Sequence, residues 1–188
     1  MFKVAIIGAG NIAAHHIRAW RQTGRAEVVG VCRRDAEKAK SFARDMETDW
    51  TTDYHNFLKN PDIDLVDIVL PSGLHAEIGS EAAAAGKHIL VEKPIDVTLE
   101  KADALIHACK QHKVTLGVVS QYRFMNGMQA VYDVLESGKL GRLIQGDAYI
   151  KWFRPQSYYD SGAWRGTWAL DGGGPFMNQG IHFIDLLL

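Results

Sequence analysis

The stretch Val4-Ala5-Ile6-Ile7-Gly8-Ala9-Gly10-Asn11-Ile12-Ala13 decides the fold. Four apolar residues run straight into a glycine, as a strand covered on both faces does when it stops at a tight turn. Gly8 permits that turn, and Gly10 lets a ligand approach the backbone. Ala13 takes the small position at which the following helix packs closely on the strand. Ala13, His16, Ile17 and Trp20 then recur on one helical face. The start of such a helix offers free N–H groups and the positive end of its dipole, which together hold an anion. A Gly-x-Gly-x-x-Ala turn between a strand and a helix therefore points to a dinucleotide pyrophosphate, cradled by Gly8, Gly10, Asn11 and Ile12.

The same alternation continues outward. Val28–Cys32, Leu65–Leu70, His88–Val91 and Val114–Val119 are short apolar runs that read as further buried strands. Between them lie helical patterns, such as Ala102, Leu105, Ile106 and Cys109. Another apolar face follows at Met128, Val131, Tyr132 and Leu135. Strand and helix in turn predict an α/β fold, a doubly wound parallel sheet with right-handed crossovers. The pattern changes after about residue 140. Ile144, Gly146, Ala148, Ile150 and Trp152 alternate with mostly polar neighbours, which predicts a strand of an antiparallel sheet. A loop rich in Tyr, Trp and Gly follows, then a helix from about Pro175 to Leu188. One lone antiparallel strand does not make a stable sheet. The chain also ends mid-helix on Leu186-Leu187-Leu188, so the reading is of part of a longer protein.

Composition narrows the function. The 188 residues are 47% hydrophobic and 23% charged, which suits a globular protein and excludes disorder. With 21 basic and 22 acidic residues there is no global basic field, and no nucleic-acid partner is expected. Cys32 and Cys109 stand far apart, which excludes a disulfide framework and a cysteine-rich zinc site. His15 and His16 diverge on a helix, so no metal site is expected. No run approaches the roughly 18 apolar residues of a membrane span, and the expected location is the cytoplasm.

Four places carry candidate chemistry. After the second apolar run come Arg33 and Arg34, where an NAD binder usually sets an acid for the ribose hydroxyls. A guanidinium there suits a 2′-phosphate, which favours NADP over NAD; Asp35 is the alternative, and it would restore NAD. Leu70-Pro71-Ser72-Gly73-Leu74-His75 is a second strand-to-helix loop, and His75 either faces the cofactor or caps its helix. Glu92-Lys93-Pro94 ends another strand. Its lysine is able to polarise a substrate oxygen beside a nicotinamide, although a surface Glu–Lys pair reads the same way, and the Lys93–Pro94 bond is left open as cis or trans. Last, Asn178, His182 and Asp185 share one helical face, with Met177, Ile181, Ile184 and Leu188 on the other. His182, beneath Gly172-Gly173-Gly174, is a candidate acid/base or a structural histidine. Asp185 either orients its ring or faces solvent.

Together Gly8–Ala13, Pro71–His75, Glu92-Lys93-Pro94 and Gly172–Asp185 resemble, in order and spacing, the N-terminal half of a Gfo/Idh/MocA oxidoreductase. The resemblance implies a Rossmann domain over residues 1–121 and the beginning of a substrate and oligomerisation domain over residues 122–188, with an open antiparallel sheet. It implies hydride transfer between NADP or NAD and a carbon of a sugar, polyol or nucleotide sugar. Lys93 would hydrogen-bond the reacting oxygen and His182 would be the acid/base, with Asn178 beside them. Glu92, His75, Pro71 and Gln121 would lie at the cofactor, and Trp164 and Arg165 at the substrate. Many members have Asp where this chain has Asn178; Asn is no base, which puts more of the proton transfer on His182 and Lys93. Asn occurs there in a branch with nucleotide-sugar dehydrogenases of the UDP-N-acetylglucosaminuronate 3-dehydrogenase type, which Tyr158–Trp168 also resembles. The family implies a homodimer or homotetramer at full length. It also includes a non-catalytic dinucleotide-binding regulator; the presence of Lys93 and His182 favours an enzyme. A fragment that only binds cofactor is the blander alternative.

Overall fold

The structure, a computed structural model, describes residues 1–188. Its centre is one six-stranded sheet of β1 (Phe2–Ile7), β2 (Ala26–Cys32), β3 (Asp49–Thr51), β4 (Leu65–Ile68), β5 (His88–Val91) and β6 (Leu116–Val118). The strand order is β3-β2-β1-β4-β5-β6, and each pairing is parallel. The connecting helices are α1 (Asn11–Gln22), α2 (Ala36–Asp45), α3 (His55–Lys59), α4 (His75–Ala84) and α5 (Leu99–His112). The chain winds outward from β1 in both directions, which leaves a crevice between the ends of β1 and β4. Open α/β sheets bind ligands there.

Successive residues of β1 face opposite sides, which explains why its buried part, Val4 to Ile7, has no polar position. Val4 and Ile6 pack with Ala13, Ile17, Val28 and Val31 in one core layer. Ala5 and Ile7 pack with Val66, Ile68, Ile89 and Leu105 in the other. Cys32 and Cys109 are buried free thiols. The third strand escapes the sequence reading because Asp49-Trp50-Thr51 is too short to show a period; it exists through its register with Gly30–Cys32.

Beyond β6 lie a 3₁₀ turn (Gln121–Phe124), α6 (Asn126–Glu136), α7 (Gln156–Asp160), a π-turn (Phe176–Gly180) and α8 (Ile181–Leu187). The expected strand over Ile144–Trp152 does not form: the segment makes no ladder with another strand. A strand exists only through its backbone partner, and none lies beside it. Only the end of the segment packs, while Ile144, Gly146 and Ala148 are exposed. Trp152 meets Phe183 of α8 edge to face at 5.6 Å, and Ile150 lies beside Gly180. The apolar face expected on α6 is real but uncovered, with Val131 and Tyr132 half-exposed.

The later segment docks on the sheet at one tight seam. The Gly73 N–H donates to the Leu170 carbonyl at 3.1 Å. A Cβ on Gly73 would lie 2.1 Å from the Ala169 carbonyl oxygen, so no side chain fits.

The two glycines of the opening turn differ in kind. Gly8 has φ +119°, and a Cβ there would lie 2.6 Å from the Val69 carbonyl oxygen. Gly10 has ordinary φ, and a Cβ would meet nothing within 4 Å. Gly8→Ala is therefore expected to lower folding stability by at least ~1–3 kcal/mol, whereas Gly10→Ala changes it by less than ~1 kcal/mol. Paired urea unfolding curves check this contrast.

Candidate active site

The glycine turn leads into the first turn of α1 at the crevice, where backbone N–H groups lack helical partners. The open space at Gly10 is what a pyrophosphate against the backbone requires, so these residues fit a dinucleotide. Arg33, at the end of β2, donates a hydrogen bond from its guanidinium to the Ala9 carbonyl and so borders the turn. Arg34 beside it is exposed. Asp35 is the N-cap of α2: its carboxylate accepts the Lys38 N–H at 3.0 Å and pairs with the Lys38 ammonium at 3.2 Å.

The loop after β4 carries Pro71 into a single 3₁₀ turn, Ser72–Leu74. His75 follows, wholly buried, with Nδ1 2.8 Å from the Pro94 carbonyl oxygen and Nε2 2.9 Å from that of Leu70. Its ring thus lies between the loop after β4 and the loop after β5, within hydrogen-bond distance of one backbone carbonyl of each. Asp96 adds a tie by accepting the Ala76 N–H at 2.9 Å.

Lys93 leaves β5 just before a cis Lys93–Pro94 bond. Its Nζ donates to the Asn178 carbonyl oxygen at 2.6 Å, across 85 residues of sequence. Burial pulls its pKa down against the opposing charges of Glu92 and Asp171, and the Arg165 cation pulls the same way as burial. Asn178 is held in turn: Nδ2 donates to Asp171 at 2.9 Å, and Oδ1 accepts from Gln179 at 3.0 Å. His182, four residues on, is buried with its ring stacked on Tyr122, centroids 4.6 Å apart. Its nitrogens make no hydrogen bond within the chain. Burial and the nearby Lys93 ammonium lower its pKa, which keeps the imidazole neutral at pH 7. Asp185 neither orients that ring nor faces solvent alone: Arg123 grips its two oxygens, each at 2.7 Å. Trp164 and Arg165 lie at the same end, with Arg165 stacked on both Trp164 and Tyr158. Gln121 is exposed at the start of its 3₁₀ turn.

Beneath these residues lies a network that the linear sequence does not disclose. His16 of α1 is buried, with Nδ1 2.9 Å from Asp67 and Nε2 3.0 Å from Glu92. The same Asp67 oxygen accepts from the Trp20 indole at 2.7 Å, and Glu92 accepts the Lys93 N–H at 3.2 Å. Burial works to lower the His16 pKa, but the two carboxylates outweigh it and raise it to about 9. His16 is thus a cation between two anions. Burial pushes the Glu92 pKa up, yet His16 and Lys93 bring it below its ordinary value. The signal available in sequence was Asp67 itself, an acid inside a doubly covered strand, which demands a buried partner.

A glycine-turned helix start at the switch point of a parallel sheet defines a nucleotide-binding α/β fold, and a half-buried lysine and a buried histidine lie across the crevice from it. The chain belongs to the Gfo/Idh/MocA oxidoreductases: residues 2–120 match the oxidoreductase family with an NAD-binding Rossmann fold, and residues 128–188 match the GFO/IDH/MocA C-terminal domain. Among solved structures, the WlbA dehydrogenase from Bordetella pertussis in complex with NADH and UDP-GlcNAcA is similar. It is 35% identical with a TM-score of 0.92, over 99% of this chain and 57% of that one. Levoglucosan dehydrogenase of Pseudarthrobacter phenanthrenivorans is 33% identical over 80% of this chain and 38% of its own length. The 1,5-anhydro-D-fructose reductase of Ensifer adhaerens is 31% identical over 100% of this chain and 56% of its own. The chain thus spans about half the length of such relatives. No helix is long and apolar enough to cross a membrane.

The His16 network sets a pH dependence. A histidine whose folded pKa is raised stabilises the fold fully below its unfolded value, near 6.5, and loses that contribution as the pH rises through about 9. The gap in melting temperature between the wild type and His16→Gln should therefore be widest below pH 6.5 and narrow steadily towards pH 9.5. Calorimetric scans across that range measure it.

Proposed function

We propose that the protein is a dehydrogenase or reductase that moves a hydride between a nicotinamide dinucleotide and a carbon of a sugar, polyol or nucleotide sugar. The observation that carries this is the Lys93 ammonium, held at 2.6 Å on the Asn178 carbonyl at the carboxyl edge of the sheet, with neutral His182 on the same helical segment. The domain division follows the same logic: residues 1–121 bind the cofactor and residues 122–188 begin the substrate side.

Gly8, Gly10, Asn11 and Ile12 would receive the pyrophosphate, with Pro71, Glu92 and Gln121 along the rest of the crevice and His75 holding its loops. The dinucleotide supplies the hydride acceptor or donor when bound. The substrate hydroxyl lies between Lys93 and His182. Lys93 donates a hydrogen bond to its oxygen and stabilises the negative charge that develops there. His182, neutral and without a competing hydrogen bond, takes the hydroxyl proton through a ring nitrogen; the reverse reaction returns it. Asn178 holds Lys93 through its backbone carbonyl, while its amide, fixed by Asp171, fits a hydrogen-bonding role and not that of a base.

Cofactor choice follows from the end of β2. With Asp35 engaged as a helix cap, no free acid waits for the ribose hydroxyls, and Arg33 and Arg34 offer cations to a 2′-phosphate. NADP is favoured over NAD on this ground; the NADH in the relatives' complexes belongs to those proteins.

Three outcomes are expected. Titration calorimetry should give tighter binding of NADPH than of NADH, and Arg33→Asp should weaken NADPH more than NADH; equal effects would refute Arg33 as the reader of the 2′-phosphate. Turnover on a panel including UDP-GlcNAcA, levoglucosan and 1,5-anhydrofructose should fall about 10²–10⁴-fold in Lys93→Met with cofactor affinity nearly unchanged. Binding without turnover by the wild type on every sugar would favour a regulator. The oxidation rate should fall in acid, below pH 6.5, because protonated His182 accepts nothing; a rate unmoved by acid would remove His182 from its role.

A further inference from the structure

A histidine that works as a base is commonly held at one nitrogen by a carboxylate or a backbone carbonyl, which sets the plane of its ring. His182 lacks that anchor. The acid on its own helix, Asp185, is taken: Arg123 grips its two oxygens, each at 2.7 Å. What touches the imidazole instead is a face. The Tyr122 ring lies against it with centroids 4.6 Å apart and 17° between the planes. Tyr122 is boxed in turn. Phe183 meets it edge to face at 5.8 Å, Trp152 does so at 6.5 Å, and Trp152 and Phe183 meet each other at 5.6 Å.

The place of Tyr122 in the chain ties this stack to the rest of the site. Val119, just past β6, donates its N–H to the Val91 carbonyl at 2.9 Å, at the strand end from which Glu92 and Lys93 leave. Tyr122 stands three residues further on, in the 3₁₀ turn Gln121–Phe124. That turn grips α8 at two points about one helical turn apart, Tyr122 on His182 and Arg123 on Asp185. An imidazole hinged at Cβ rotates about two bonds unless packing stops it. A parallel stack restrains the tilt of the ring and leaves its edge, where both nitrogens lie, uncovered.

We propose that Tyr122 is a positioning residue for His182: its ring fixes the plane of the imidazole relative to Lys93 and keeps both nitrogens for the substrate. This role rests on the oxidoreductase activity proposed above and deepens it, because an aromatic face takes the orienting task that Asp185 does not perform. The charges around the imidazole are Lys93 at the end of β5, Glu92 beside it, and Asp185 in the grip of Arg123. Burial and Lys93 lower the His182 pKa, while Glu92 and Asp185 raise it. Removing the Tyr122 ring uncovers the imidazole, so that pKa should climb towards its ordinary value.

The test compares the wild type, Tyr122→Phe and Tyr122→Leu by proton NMR titration of the imidazole C–H signals and by rates on UDP-GlcNAcA, levoglucosan and 1,5-anhydrofructose. Loss of one signal in His182→Gln assigns that of His182. In the wild type this signal should be displaced upfield by the ring current of Tyr122 and titrate below pH 6.5. Tyr122→Phe keeps the stack and should keep both properties and most of the rate. Tyr122→Leu should lose the displacement, titrate at higher pH, and show kcat lowered about 10- to 10²-fold with KM little changed. NADH affinity should not move in either variant, because the glycine turn lies elsewhere, and it reports that each is folded. A displacement that survives in Tyr122→Leu, wild-type kcat in that variant, or an equal loss of rate in Tyr122→Phe would overturn the positioning role and leave the oxidoreductase reading standing. A wild type that shows the displaced signal and binds NADH but turns over none of the sugars would bring down that reading, and the positioning role with it.

Discussion

The His16 imidazolium sits in the interior with Asp67 on one side and Glu92 on the other, and the three belong to three different elements. Asp67 comes from β4, Glu92 from the end of β5, and His16 from the second turn of α1. An isolated charge at any of these positions would be intolerable in so apolar a setting. As a set they carry one positive and two negative charges, with the Lys93 ammonium beside Glu92, and each group is hydrogen-bonded although one Asp67 oxygen is buried without a partner. The clamp fixes the helix whose first turn faces the crevice relative to the strand end that presents Lys93. The rest of the site hangs on that relation: Lys93 fixes Asn178, Asn178 engages Asp171, and His75 lies between the two loops.

Charge is distributed along the crevice in a way that separates the roles of its groups. The carboxylates that lie deepest are committed: Asp67 and Glu92 to His16, Asp171 to a backbone and an amide donor, and Asp96 to backbone N–H groups. Arg33 and Arg34 stand at the end of β2 and Lys93 at the end of β5, although the chain as a whole is nearly neutral.

Much of the sheet was legible because its signals are local. The Gly8–Ala13 turn, the doubly apolar strands and the helical faces each lie within about a dozen residues, and they specify a winding order almost by themselves. Lys93 and His182 were legible only through their place in that order. The network beneath them was not, since His16 and Asp67 are 51 residues apart and Lys93 and Asn178 are 85 apart. Pairing across such separations leaves no periodic trace. The misread strand over Ile144–Trp152 has the opposite cause. Its alternation is local and real, but a period of two reports only that an extended segment has two unlike sides. It does not report that a backbone neighbour is present to complete a ladder.

Because Asp35 closes the first turn of α2, a change in the proposed cofactor preference would be open along only some mutational routes. Changing Asp35 alters charge near the ribose end of the crevice and uncaps a helix in the same step, so selection on stability and selection on cofactor act on one position together. Arg34 is exposed and free of such a duty, and Arg33 is tied only to a carbonyl of the glycine turn. On that proposal a shift would begin at Arg34 without loss of fold, pass through Arg33, and leave Asp35 for last.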